Sequence, residues 1–153
     1  MKELFTISVT VDTPIVVGQD TINGRRQLIP ITGGTIQGMD IYNHPISGIV
    51  LPGGVDSQII RINGRCDLSA RYACRLDDGR SFYIENNGMR TVPAEYVEDV
   101  LAGKFIDPSL YYFVTTPQFE VYDKSLRWME NYVFTCKAKR TPDAVEITYF
   151  VLD

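Results

Sequence analysis

Asp56 follows the turn material Pro52-Gly53-Gly54 and opens a run that continues through Gln58, Ile59, Ile60 and Arg61. A carboxylate so placed either caps the turn by accepting backbone amides or faces a pocket as an acid or base whose pKa rises with burial. Asn86 is the second polar residue embedded among apolar ones, the only amide on the inward face of its hairpin. An unpartnered buried amide costs about 1–3 kcal/mol, so Asn86 belongs either to a buried network or to a ligand contact. Arg90 follows Asn86-Asn87-Gly88, which reads as a turn, and would stand at a loop mouth. Arg71 could also meet an anion, but its hairpin register sets it outside, opposite Glu85. Aromatic residues gather late, at Tyr111, Tyr112, Phe113, Phe119, Tyr122, Trp128 and Tyr132. Rings of this kind fill cores first and form pocket walls with a few polar anchors second. Glu120 and Trp128 flank a turn at Asp123-Lys124-Ser125, which would lie at a barrel rim. The candidate ligand contacts are therefore Asp56, Tyr72, Asn86, Arg90, Tyr112 and Trp128. Asp56 and Glu120 are the candidate bases for acid–base chemistry, with a tyrosine as the acid.

Other chemistries lack their parts. Gly33-Gly34-Thr35-Ile36-Gln37-Gly38 has no Lys-Ser/Thr after it and leads into a strand, so no phosphate loop is expected. Its glycines suit bulges or close strand crossings in a curved sheet. No G-x-S-x-G elbow occurs, and His44, the one histidine, sits beside a proline in a turn. Cys66, Cys74 and Cys136 form an odd, scattered set that suits buried free thiols better than a disulfide framework or a zinc site. No metal and no cofactor are expected. The net charge of −4 argues against nucleic acid as a partner. No apolar run approaches the roughly 20 residues that span a bilayer, and the alternating N-terminus with Glu3 reads as a strand rather than a signal peptide. These features predict a cytoplasmic protein that has no membrane partner.

Period-two alternation dominates the chain. Glu3, Phe5, Ile7, Val9 and Val11 share one face of the first segment, with Thr6, Ser8 and Thr10 on the other. Turn material recurs at Asn23-Gly24, Gly33-Gly34, Asn43-His44-Pro45, Pro52-Gly53-Gly54, Asn63-Gly64, Asp77-Asp78-Gly79, Asn87-Gly88 and Thr141-Pro142-Asp143. Short strands between such turns predict an all-β, antiparallel barrel of roughly eight to ten strands in a single domain, residues 1–153. Around Asp77-Asp78-Gly79, a type I turn with Gly79 left-handed sets Cys74 opposite Phe82, Tyr72 opposite Ile84 and Ala70 opposite Asn86. The outer face then pairs Arg71 with Glu85 and Arg75 with Ser81. A one-residue slip would mix polar and apolar faces. The last hairpin, looped at residues 141–144, pairs Phe134, Cys136 and Ala138 with Val151, Tyr149 and Ile147, and Lys139 with Glu146 outside. One segment, VPAEYVEDVLAGK, reads as a short helix. Pro93 starts it, Glu95, Glu98 and Asp99 sit early, and Gly103 lies past its end. Tyr96, Val97, Val100 and Leu101 form its apolar stripe, which would pack over an opening or flank of the sheet.

The series IPITGGTIQG, LPGGVDSQ, DLSARYACRLDDGRSFYIENNGMR, YYFVTTPQFE and RWMEN resembles domain-of-unknown-function family 3237 over about residues 18 to 152. The resemblance implies a calycin- or streptavidin-like β-barrel and carries no established activity. The family pattern has a tryptophan where this chain has Ser57 and an arginine where it has Val114, so a ligand relying on either would bind differently here. A small barrel either fills with side chains or holds one ligand. The leading expectation is a protein that binds a small organic ligand. The alternative is a metal-free isomerase, lyase or hydrolase acting on a small carbonyl or aromatic metabolite. A third reading is a structural subunit with a filled barrel, whose edge strands could join copies into a homo-oligomer.

Overall fold

The computed structural model describes residues 1–102 and 104–153. Among them ten strands form: β1 (Lys2–Val11), β2 (Ile15–Thr21), β3 (Gly24–Met39), β4 (Pro45–Val50), β5 (Gly54–Ile60), β6 (Cys66–Leu76), β7 (Ser81–Thr91), β8 (Tyr112–Val121), β9 (Val133–Arg140) and β10 (Ala144–Leu152). Their pairing is antiparallel throughout, in the order β1-β10-β9-β8-β7-β6, and β1 also pairs with β3. The remaining place between β3 and β6 is shared. β4 lies along the Thr35–Met39 half of β3 and β5 along the Arg25–Ile31 half, so the two are one wall strand broken at Pro52-Gly53. The result is a closed barrel of eight wall positions, with β2 paired to β3 alone. Eight strands enclose a space just wide enough for side chains or one small ligand.

The registers follow from hydrophobic segregation. Cys74 faces Phe82, Tyr72 faces Ile84 and Ala70 faces Asn86, while Arg71 faces Glu85 at 3.4 Å on the outside. Gly79 closes that turn at φ 92°. The last hairpin pairs Cys136 with Tyr149 and Lys139 with Glu146, as its alternation requires. Two expected turns do not form. Gly33-Gly34 lies within β3 and Asn86-Asn87-Gly88 within β7. In both places the glycine serves close approach between strands: a Cβ at Gly34 would overlap the Ser8 carbonyl oxygen, and one at Gly88 that of Val114. Gly34 also has φ 139°, and the β1–β3 register shifts beside it.

One part of the interior is packed solid with aromatic side chains. Phe5 stacks on Tyr149 at 4.8 Å, and Phe119 meets Phe134 edge-on at 5.0 Å. The expected helix is α1 (Val97–Leu101), preceded by a 3-10 turn at Ala94–Tyr96. Its Val100 is buried beside Ile60, Cys66 and Arg90, so it covers one end of the barrel. Gly103 and the side chain of Leu101 lie outside the described residues. A second short helix, α2 (Trp128–Asn131), was not expected. It buries Trp128 and Met129 where β8 and β9 part, since those strands pair only at Val114–Lys137 and Thr115–Cys136.

Candidate functional site

Alternation turns every second residue inward, and facing residues make rows around the wall. One row reads Ile29, Asp56, Ala70, Asn86 and Pro117 across β3, β5, β6, β7 and β8. The next reads Gln27, Gln58, Leu68, Gly88 and Thr115, and continues to Cys136 on β9. A third carries Arg25, Ile60, Cys66, Arg90 and Phe113. Small residues in these rows leave room that the aromatic half of the barrel does not have. A cavity with about 50 Å³ of room for the centres of water-sized molecules opens among them. That space takes roughly three to five waters, or a small organic molecule in their place. Its walls are apolar at Val9, Ile31, Leu68, Phe113 and Ile147, and polar at Asp56, Gln58, Asn86, Arg90, Thr115 and Arg140.

The polar groups are partly connected. Gln27 Nε2 donates to Gln58 Oε1 at 2.8 Å, and Gln58 Nε2 donates to Asp56 Oδ2 at 2.8 Å. The Ser69 amide donates to Asp56 Oδ1 at 3.1 Å. Burial pushes the Asp56 carboxyl above its usual range, and these donors together with the Arg90 charge oppose the rise. Asp56 thus does not cap the preceding turn: among the described residues its one backbone donor is Ser69, across the β5–β6 ladder, and its carboxyl faces the cavity. Asn86 is 2% exposed, and among the described residues neither its Oδ1 nor Thr115 Oγ1 has an oxygen or nitrogen partner; both side chains approach the Cys136 thiol, a weak partner. Such atoms are costly when left unpaired in an apolar wall. Tyr72 and Tyr149 bond to each other at 3.0 Å at the solid end of the cavity. Burial holds both phenols well above their usual range.

Four of the sequence candidates, Asp56, Tyr72, Asn86 and Arg90, line this one cavity. Arg90 reaches it from inside β7 rather than from a loop, because residues 86–88 continue the strand. Three candidates do not join them. Glu120 is on the outside of β8, where it accepts a hydrogen bond from Tyr122 at 2.7 Å. Tyr112, the neighbour of inward Phe113, is 52% exposed. Trp128 is buried against Phe134 at 6.0 Å and borders a surface groove with Asp40, His44 and Arg80, so it stands apart from the cavity. Ser57 and Val114 are out of phase with inward Asp56, Phe113 and Thr115. Ser57 accepts from Arg26 at 3.0 Å on the outer face, and neither residue touches the cavity.

Sequence reasoning missed Gln27, Gln58, Thr115 and Arg140. The signal was present for two of them: Gln58 lies two residues beyond Asp56, and Arg140 two beyond inward Ala138. All three cysteines are free and buried. Among the described residues, no three His, Cys, Asp or Glu side chains gather as a metal-holding group.

Relatives share this architecture. The chain is 54% identical over 149 residues to a UPF0311 protein of Clostridium acetobutylicum, covering 97% of this chain and 91% of that one. A crystal structure of a protein of unknown function from Clostridium acetobutylicum matches with TM-score 0.87 and 53% identity, over 99% of this chain and 95% of the other. A β-barrel-like protein from Acinetobacter baumannii matches with TM-score 0.83 and 32% identity, over 99% of this chain and 94% of that one. Residues 1–152 match the family described as Protein of unknown function (DUF3237), and the chain belongs to that family.

Proposed function

We propose that the barrel binds a small organic molecule in the cavity between Asp56, Asn86 and Arg90. The observation that carries this reading is Asn86 Oδ1, buried beside an open space without an oxygen or nitrogen partner among the described residues. A ligand donor satisfies that atom, and the surrounding Leu68, Phe113 and Ile147 bury the ligand's apolar body. A metabolite panel read by thermal shift should include a compound that raises the unfolding midpoint of the wild type. That compound should bind about tenfold or more weakly to Asn86→Ala, a loss of about 1.4 kcal/mol. A high-resolution map with side chains filling the cavity would sink the reading.

Asp56 favours a second reading, acid–base catalysis on the bound molecule. Its carboxyl, raised by burial and anchored by Gln58 and the Ser69 amide, suits a group that takes or gives a proton. Turnover of a bound compound that is lost in Asp56→Asn, with binding retained, would establish the enzyme. Binding without turnover in any panel member leaves the protein a binder. Two further properties belong to the same proposal. Three buried free thiols fit a reducing cytoplasm. The apolar edge strand β2, with Ile15 and Val17 exposed, suits pairing with a second copy.

A further inference from the structure

Arg90 is 6% exposed, and its guanidinium lies 5.6 Å from the centre of the Phe113 ring. Among the described residues it makes no ion pair within 4.0 Å, whereas Arg61, Arg65, Arg71 and Arg80 on the outer surface each meet a carboxylate. Arg140 enters the same cavity from the end of β9, and its Nε is buried without a partner. The one acid in the lining is Asp56, against these two arginines. Two positive charges and at most one negative leave a surplus of at least one positive charge at the cavity. A buried cation with no counter-charge is costly, and planar guanidinium groups match the two oxygens of a carboxylate.

We infer that the cavity's ligand is an organic carboxylate whose anionic group sits between Arg90 and Arg140. The inference rests on the cavity being a ligand site, as proposed above, and names the chemistry of what fills it. The apolar body of the ligand lies against Leu68, Phe113 and Ile147, and Asn86 and Thr115 meet its remaining polar atoms. Inorganic phosphate has no apolar body to match those walls. The mutual repulsion of the two guanidinium groups agrees with this arrangement: burial lowers the Arg140 pKa, and the Arg90 charge lowers it further.

The test uses the full chain and calorimetric titration with monocarboxylates from acetate to benzoate, each beside its neutral amide, with inorganic phosphate as a third arm. At least one carboxylate should bind, its amide about tenfold or more weakly, and phosphate less well than either. Arg140→Gln should lose the carboxylate by about tenfold or more while its far-UV spectrum stays that of the wild type. Arg140→Lys keeps the charge without the fork and should bind between the two. In ligand-free protein, Arg140→Gln should unfold at the same temperature as the wild type or higher, because it removes a half-buried charge that meets no carboxylate within 4.0 Å among the described residues. Amides binding as well as carboxylates, or phosphate binding best, would overturn the carboxylate while leaving the cavity a ligand site. A carboxylate that binds Arg140→Gln undiminished would also overturn it. Failure of both these probes and the metabolite panel would remove the ligand site itself.

Discussion

At the scale of single residues, the interior polar groups differ in whether they have partners, and the difference can be measured. The Tyr72 and Tyr149 hydroxyls bond only to each other among the described residues. Tyr72→Phe leaves the Tyr149 hydroxyl buried and unpaired and should destabilise by about 1–3 kcal/mol, while the double Phe variant should recover much of that loss. Urea unfolding of the four-member cycle reads the coupling directly; additive losses would show that the bond contributes little. Burial pushes the Cys66 thiol up to about 11, and those of Cys74 and Cys136 up to about 12. A thiol-specific reagent at pH 8 should thus label none in the folded protein and three after denaturation, because the thiolate is the reactive form. Asp56 gives a pH signature. A carboxyl raised by folding binds its proton more tightly folded than unfolded. Its contribution is most favourable below the ordinary value of 3.8 and is lost as pH rises through the folded value. Stability of the wild type relative to Asp56→Asn should fall over that window, and parallel curves would place Asp56 in an ordinary environment.

At the scale of elements, glycine placement bends the wall. β3 runs sixteen residues and takes part in four pairings, with β1, β2, β4 and β5. A strand so shared must pass close to its neighbours, and Gly34 permits the approach to Ser8. Gly53, at φ 106°, has nothing within 4 Å of where a Cβ would stand. Gly53→Ala should therefore carry only backbone strain, on the order of 1–3 kcal/mol. Gly34→Ala adds a clash with main chain to similar strain and should cost clearly more, to the point of preventing folding. Chemical denaturation of the two variants orders them, and equal losses would mean that β1 and β3 can separate without consequence.

At the scale of the whole molecule, the barrel is closed by its last strand. β10 pairs with β9 on one side and with β1 on the other, and the N-terminal ammonium lies 3.2 Å from Asp153. Cutting the chain before Ala144 opens two edges and uncovers Phe5, Ile7 and Phe134. Such contacts join distant parts of the sequence, which makes closure late and cooperative. The truncated chain should lack a sharp urea transition and dispersed amide resonances. A sharp transition in it would show that the hairpins fold independently of closure.

The sequence by itself determined the strand content, the two hairpin registers and the inward face that holds Tyr72 and Asn86. Local alternation and turn chemistry are enough for those, because a slipped register exposes a whole hydrophobic face. It also singled out Asp56, as a polar residue in an apolar run, and Arg90, though as the residue after a turn that does not form. Only the tertiary structure decided that Gly33-Gly34 and Asn86-Asn87-Gly88 continue strands, since the need for glycine there comes from a neighbouring strand far away in sequence. Closure likewise decided which polar residues share a space. Arg90 on β7 and Arg140 on β9 are fifty residues apart in number, and neither one's local pattern indicates the other. Trp128 and Glu120 were carried elsewhere, by a short helix and by strand alternation. The cavity is lined by the small residues Ala70 and Ala138, brought together when an eight-position wall closes, and that coincidence belongs to the ring rather than to any one strand.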